Sequence, residues 1–203
     1  MAAAGRVCTG FSKPYVAVYS NTSGTVSYTK GQILARGVDV SIEPEAGDDN
    51  TFYADNVAAE VSPGVFTGGT VTLTVDGLLP TAETLIYGLP EPDSVTVDSS
   101  SVDVYAYGDG MSIPYCGLGF VARYQSDGVV SYVPIVLTKT RFTVGTTSAA
   151  TQEDSVDWQT QELSATLMRD DTSSHNWKKV GAGQATEAAA EAVLKQILGI
   201  IGS

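Results

Sequence analysis

The chain has one histidine, His175, in the stretch "DDTSSHNWKK", where Ser173, Ser174, Asp170 and Asp171 supply every residue type of a hydrolytic triad. A triad works when a rigid scaffold holds the imidazole between nucleophile and orienting carboxylate, and its members normally come from separated segments. One polar turn between a strand and a helix does not supply that scaffold, so His175 reads as an exposed loop histidine. The carboxylate pairs Asp48-Asp49 and Asp170-Asp171 would do acid–base work only if two environments drove their pKa values apart. Both stand in uniformly polar sequence and read as solvated. "EAGDDNTFYADN" offers oxygen ligands for calcium but lacks the alternating acids and closing glutamate of a calcium loop. Gly181-Ala182-Gly183 precedes a helix, yet with no third glycine and no buried strand before it, it reads as a helix lead-in rather than a phosphate cradle. Cys8 and Cys116 are far apart and fit neither a disulfide framework nor a thiolate metal site; they read as reduced thiols. The expectation is a protein with no catalytic residue, no metal and no cofactor.

The charge distribution says more. The 203 residues carry a formal net charge of −12, which disfavours binding a polyanion by phosphate neutralisation. Between Gly37 and Ala122 there is no Lys or Arg, while 14 of the 23 acids fall there. Glu43, Glu45, Asp48, Asp49 and Asp55 crowd around Phe52 and Tyr53 with no base among them. Such a run ordinarily makes a solvated, solubilising face; the adjacent aromatics in so polar a loop suit an interface. Lys139 and Arg141 share one strand face and could meet acids on a neighbouring copy. "MAAAGRVC" lacks the apolar stretch of a signal peptide, and no run reaches the roughly 18 apolar residues of a membrane helix; a soluble protein made in the cytoplasm is expected.

The elements that must position these residues are mostly strands. "GVDVSIE" sets Val38, Val40 and Ile42 opposite Asp39, Ser41 and Glu43. "TVTLTVD" sets Val71, Leu73 and Val75 opposite Thr70, Thr72, Thr74 and Asp76, and "VDVYAY" sets Val102, Val104 and Ala106 opposite Asp103, Tyr105 and Tyr107. Residues 117–144 read as a long hairpin turning at Asp127-Gly128, with Pro134 forcing a sheet edge or a bulge. "DWQTQELSATLM" adds a strand with Leu163, Ala165 and Leu167 on its apolar side. "LPTAETLIYGL" predicts a short helix ended by Gly88, and residues 184–199 predict a helix with Ala189, Val193 and Ile197 on its apolar stripe. The fold class is mainly β (α+β), a β-sandwich or partly closed barrel with one short helix and a C-terminal helix, in a single domain over 1–203. Residues 1–26 form an extension or first strand, and 43–60 an acidic loop.

The order "GVDVSIEPE", an acidic aromatic loop, "FTGGTVTLTVDGL" into "TAETLIYG", "PYCGLGFVARYQSDG", "VLTKTRFT" and "DWQTQELSATLMRDD" before a terminal helix resembles the major tail proteins of long-tailed bacteriophages. The resemblance spans about Ser27 to Gly199. It implies a β-sandwich subunit that forms hexameric rings stacked into a hollow tail tube, located in the virion tail and assembled in the host cytoplasm. Its implied partners are further copies of itself, tape-measure, tail-terminator and baseplate proteins, and double-stranded DNA that passes through without specific binding. An acidic wall would suit that conduit, since a basic one would capture the duplex. On this reading Asp39, Glu43, Asp76 and Asp103 face the lumen. Glu45, Asp48, Asp49, Phe52 and Tyr53 form a ring-stacking loop against bases such as Lys139 or Arg141. The alternative is a soluble β-sandwich binding module, such as a phage surface domain or a carbohydrate-binding domain, using Tyr105, Tyr107 and Tyr115.

Overall fold

A computed structural model describes residues 5–146, 151 and 158–200. The alternating segments build twelve strands: β1 (Val7–Thr22), β2 (Thr25–Ile33), β3 (Gly37–Ala46), β4 (Asn50–Ala54), β5 (Val57–Ser62), β6 (Phe66–Val75), β7 (Asp93–Val97), β8 (Ser100–Val104), β9 (Cys116–Ser126), β10 (Val129–Thr143), β11 (Gln161–Met168) and β12 (Lys178–Val180). The described residues also form two helices, α1 (Pro80–Tyr87) and α2 (Glu187–Ile197). Eight strands form one antiparallel sheet in the order β2-β1-β9-β10-β11-β6-β3, with β12 beside β10, while β4-β5 and β7-β8 are separate two-stranded ribbons. Four hairpins turn on two residues with positive φ: Ser23-Gly24, Asp55-Asn56, Asp98-Ser99 and Asp127-Gly128. That is the backbone whose twist matches the flanking strands.

The sheet folds over its own core. Val40 and Ile42 of β3 pack with Phe11 of β1, Phe120 of β9 and Val133 and Ile135 of β10, so strands from opposite parts of the order share one apolar cluster. Gly37 allows this approach: a Cβ there would stand 2.2 Å from the Phe11 ring. The main core gathers Val71, Leu73 and Val75 of β6, Leu163, Ala165 and Leu167 of β11, and Leu118, Leu137 and Phe142. α1 closes one end with Ala82, Ile86 and Tyr87, and Gly88 ends it in the left-handed region at φ 58°. The result is mainly β and sandwich-like, with no closed barrel among the described residues.

α2 lies across β9 and β10. Thr186 caps it by accepting the Ala189 N–H, and Gly199, at φ 63°, follows its end. Its buried seam is Ala190, Leu194 and Leu198, one position beyond the expected Ala189, Val193 and Ile197, which are half-buried flanks. Gly117 and Gly119 of β9 set that register, because a Cβ at either would strike Leu194 or Leu198.

Three further expectations are corrected. Val38 is exposed because a bulge between Gly37 and Asp39 turns it off the apolar face. Pro134 sits inside the sheet, not on an edge or at a bulge; its carbonyl accepts from Gly181 on the side where only the short β12 segment runs, so no regular ladder donor is lost. Val102 and Val104 are exposed, since β7-β8 stands apart from the main sheet.

Candidate functional site

Three surface features stand out: an uncovered polar sheet face, an ion-paired tyrosine cluster beside it, and two exposed β-ribbons. The polar face belongs to β10, β11, β6 and β3. Because Val71, Leu73 and Val75 and Leu163, Ala165 and Leu167 point inward, the period of two sends Thr70, Thr72 and Thr74 and Glu162, Ser164 and Thr166 outward. The ladders align them in rows. Glu43 lies beside Thr70, Thr70 beside Thr166, and Thr166 beside Arg141; Ser41, Thr72, Ser164 and Thr143 make the next row, and Asp39, Thr74 and Glu162 the next. The face is therefore short-chained and hydroxyl-rich, with Asp39, Glu43 and Glu162 as its acids. Among the described residues no helix covers it, whereas α2 covers the β9–β10 part of the same sheet. A polar groove of about 720 Å³ continues from it past Glu162 and Ser164 to Asp76 and Glu83.

Lys139 and Arg141 flank this face, and their surroundings differ. Lys139 is largely buried and donates to both oxygens of Asp171, at 3.0 and 2.8 Å, while its ammonium stands over the rings of Tyr19 and Tyr115. Tyr19 also donates to Asp171, at 2.8 Å. Lys139 and Tyr19 hold the Asp171 carboxyl below the usual range, and burial raises the Tyr19 phenol to about 12. The cluster fastens the loop after β11 to β1 and β10. Within that loop Asp170 is buried, and one of its oxygens accepts from Thr172 and from the Asn176 N–H. His175 is exposed, and its Nδ1 lies 3.4 Å from the Asp170 carbonyl oxygen, not on Ser173 or Ser174. Arg141 is exposed over Tyr115 and has no carboxylate partner among the described residues.

The segment read as an acidic loop is a ribbon on a neck. Gly47 N–H donates to Val65 O, Gly64 N–H donates to Asp49, and a Cβ at Gly64 would lie 1.6 Å from the Gly47 carbonyl oxygen. Beyond this crossing β4-β5 projects with Phe52, Tyr53, Val57 and Val61 each more than half exposed. β7-β8 resembles it in kind: Val95 pairs with Val102, and Val97 and Val104 lie on the same side, all four about half exposed. Two-stranded ribbons are marginal in water, and both of these leave apolar side chains exposed.

The four lumen candidates are not brought together. Asp39 and Glu43 share the polar face. Asp76 sits just past β6 and clamps Arg36, at 2.9 Å, and Asp103 stands on the β7-β8 ribbon opposite Ser94. Glu45 lies at the end of β3, Asp48 is exposed at the neck, and Phe52 and Tyr53 project from β4. Of the tyrosines considered for a binding module, Tyr107 donates to Glu83 at 2.6 Å, and Tyr115 is occupied by Lys139 and Arg141. Sequence reasoning does not single out the threonine ladder or Glu162, although the run Thr70, Thr72, Thr74 in "TVTLTVD" signals a hydroxyl-lined face. No family model matches the chain, and no curated protein matches it.

Proposed function

We propose that this protein is the tube-forming subunit of a long-tailed bacteriophage tail, assembling into hexameric rings that stack into an acid-lined conduit for double-stranded DNA. The observation that carries the reading is the uncovered four-stranded face, whose outward side chains are Thr, Ser, Asp and Glu with Arg141 at one margin. Short hydroxyls leave a smooth wall, and carboxylates repel phosphate gently. Two unit charges about 10 Å apart in water interact by only ~0.4 kcal/mol, and salt screens them over roughly 8 Å. Each acid thus discourages capture of the duplex without building a barrier.

The base-free segment serves the same end, since it supplies β3, β6 and both ribbons, and it contains no Lys or Arg that could hold a phosphate. The ribbons provide contacts between rings: β4-β5 carries Phe52 and Tyr53 as anchors with Glu45, Asp48 and Asp49 around its base. Tape-measure, terminator and baseplate proteins are the further partners of such a tube. The competing reading, a soluble binding module, leaves the uncovered face without a purpose, and the structure ties two of its three tyrosines into internal contacts. Electron microscopy of the concentrated purified protein separates the two: rings or tubes support the conduit, and dispersed monomers at every concentration refute it.

A further inference from the structure

Among the described residues the β7-β8 ribbon carries the least protected strand edges. Natural sheets blunt an open edge with Lys, Pro or a bulge, because its free N–H and C=O groups are a template for another strand. β3, one outer strand of the main sheet, contains Pro44 and two register shifts; β2, the other, is interrupted at Lys30, whose φ is 53°. β4-β5 has a shift between Phe52 and Tyr53. β7-β8 has none of these devices. Its register runs unbroken from Asp93 opposite Val104 to Val97 opposite Ser100, and neither "DSVTV" nor "SSVDV" contains Lys, Arg, Pro or Gly. Every residue of both strands is exposed, and neither strand pairs with a third among the described residues.

The two faces of the ribbon differ. Alternation puts Val95, Val97, Val102 and Val104 on one, and Ser94, Thr96, Ser101 and Asp103 on the other. The two edges differ as well. β7 follows Pro92, which has no N–H, and its polar side holds only hydroxyls, whereas β8 presents valine, aspartate and valine in turn. Glu91, Asp93, Asp98, Asp103 and Asp109 make the surroundings acidic, in a segment that has no base between Gly37 and Ala122. A ribbon of a second copy would therefore set acid against acid, Asp103 against itself or against Asp55 and Glu60 of β4-β5.

We infer that the open edge of β8 receives, as a third strand, an extended segment of another protein in which aliphatic residues alternate with Lys or Arg. The inference goes beyond the tube reading and does not rest on it; stacking anchored by Phe52 and Tyr53 of β4-β5 leaves this edge free. Backbone bonds along β8 give the affinity common to any added strand, and the side chains select. An aliphatic residue beside Val102 or Val104 widens the valine face, while the base between them lies beside Asp103 on the opposite face, an oppositely charged cross-strand pair. A third strand also brings the ribbon to the width at which a sheet holds its shape in water.

The test uses the full chain and fluorescent peptides, read by anisotropy, with circular dichroism to check folding. The probes are a short peptide alternating Lys and Val, the same peptide with Glu for Lys, and the Lys-Val peptide with its backbone N–H groups methylated. The Lys-Val peptide should bind at least about tenfold more tightly than the Glu-Val peptide, and methylation should weaken it at least about tenfold. Asp103→Lys should reverse the preference. Exchanging one acid for one base raises the net charge of −12 only by two, so diffuse attraction would still favour the basic peptide. Val102→Thr/Val104→Thr, which keeps strand-forming side chains at exposed positions, should weaken binding at least about fivefold. Equal binding of the Lys-Val and Glu-Val peptides, undiminished binding of the methylated peptide, or an unchanged preference in Asp103→Lys overturns the inference. So does dimerisation of the parent that Val102→Thr/Val104→Thr abolishes, which would give the edge to a second copy. Ring and tube formation is read separately, by microscopy of the protein alone, so either reading can fail while the other stands.

Discussion

Turning the proposed channel wall basic should convert a passive conduit into one that grips DNA. Thr72→Lys, Thr166→Lys and Glu162→Gln place two bases and remove one acid on β6 and β11, the middle strands of the face, leaving both margins intact. The parent face carries Asp39, Glu43 and Glu162 against Arg141, a net of about −2 per copy, or about −12 in a ring of six; the variant carries about +1 per copy. β6 has ten residues, so one ring's wall extends about 33 Å along the strand direction, a length over which duplex DNA presents about 19 phosphate charges. Six positive charges net per ring, repeated along a tube, give a counterion-release interaction whose strength falls steeply with salt. In single-particle ejection assays on phage carrying the variant tube, ejection should slow at low salt and recover at least about tenfold between roughly 50 and 200 mM salt. The parent should change little. Variant particles that eject at the parent rate at low salt would refute the assignment of this face to the wall.

Deleting residues 48–63, which joins Gly47 to Gly64 across a neck they already share, should leave the subunit folded but restrict assembly to unstacked rings; long tubes from this variant under the microscope would contradict the stacking role of β4-β5. Leu194→Ala empties the buried seam of α2 and should destabilise the fold by about 3 kcal/mol in urea unfolding. The α2 clamp should also report pH. Burial alone pushes the Glu191 carboxyl up, but donation from Tyr15 at 2.6 Å and Lys195 at 2.9 Å, with Lys13 at 3.4 Å, outweighs it and holds the group at about 2. A depressed carboxyl stabilises the fold above its unfolded value near 4.3 and loses that contribution as pH falls toward 2, so Glu191→Gln should cost about 1–2 kcal/mol at pH 7 and flatten the acid limb of the stability profile. Native protein should react with a thiol reagent at exposed Cys8 and not at Cys116, whose burial raises its thiol to about 12.

Where one face of a strand is buried and the other wet, the sequence is readable, because alternation records which side is which. "TVTLTVD" and "QELSATLM" announce β6 and β11 in that way, and Asp127-Gly128 and Gly88 mark a turn and a helix end through backbone chemistry that few other residues satisfy. Legibility fails where that contrast is missing. The ribbons β4-β5 and β7-β8 have no buried face in the single chain, so "DNTFYADNVAAEV" reads as a polar loop although Asp55-Asn56 is a turn pair. β2, which has no fully buried residue, is hidden for the same reason. Periodicity sets the seam of α2 one residue early because "EAAAEAV" offers alanine on several faces, and only the glycines of β9 decide which one docks. The Lys139–Asp171 pair joins residues 32 apart in sequence, a distance at which no local pattern records a contact.

The central claim is that many copies enclose a channel with the hydroxyl- and acid-lined face turned inward. A cryo-electron microscopy map of the assembled polymer, at a resolution that traces strands, tests it in one step. Thr72 and Ser164 should then line the bore. A cylinder with those residues on its outer surface, or with a bore lined by Lys and Arg, would contradict it.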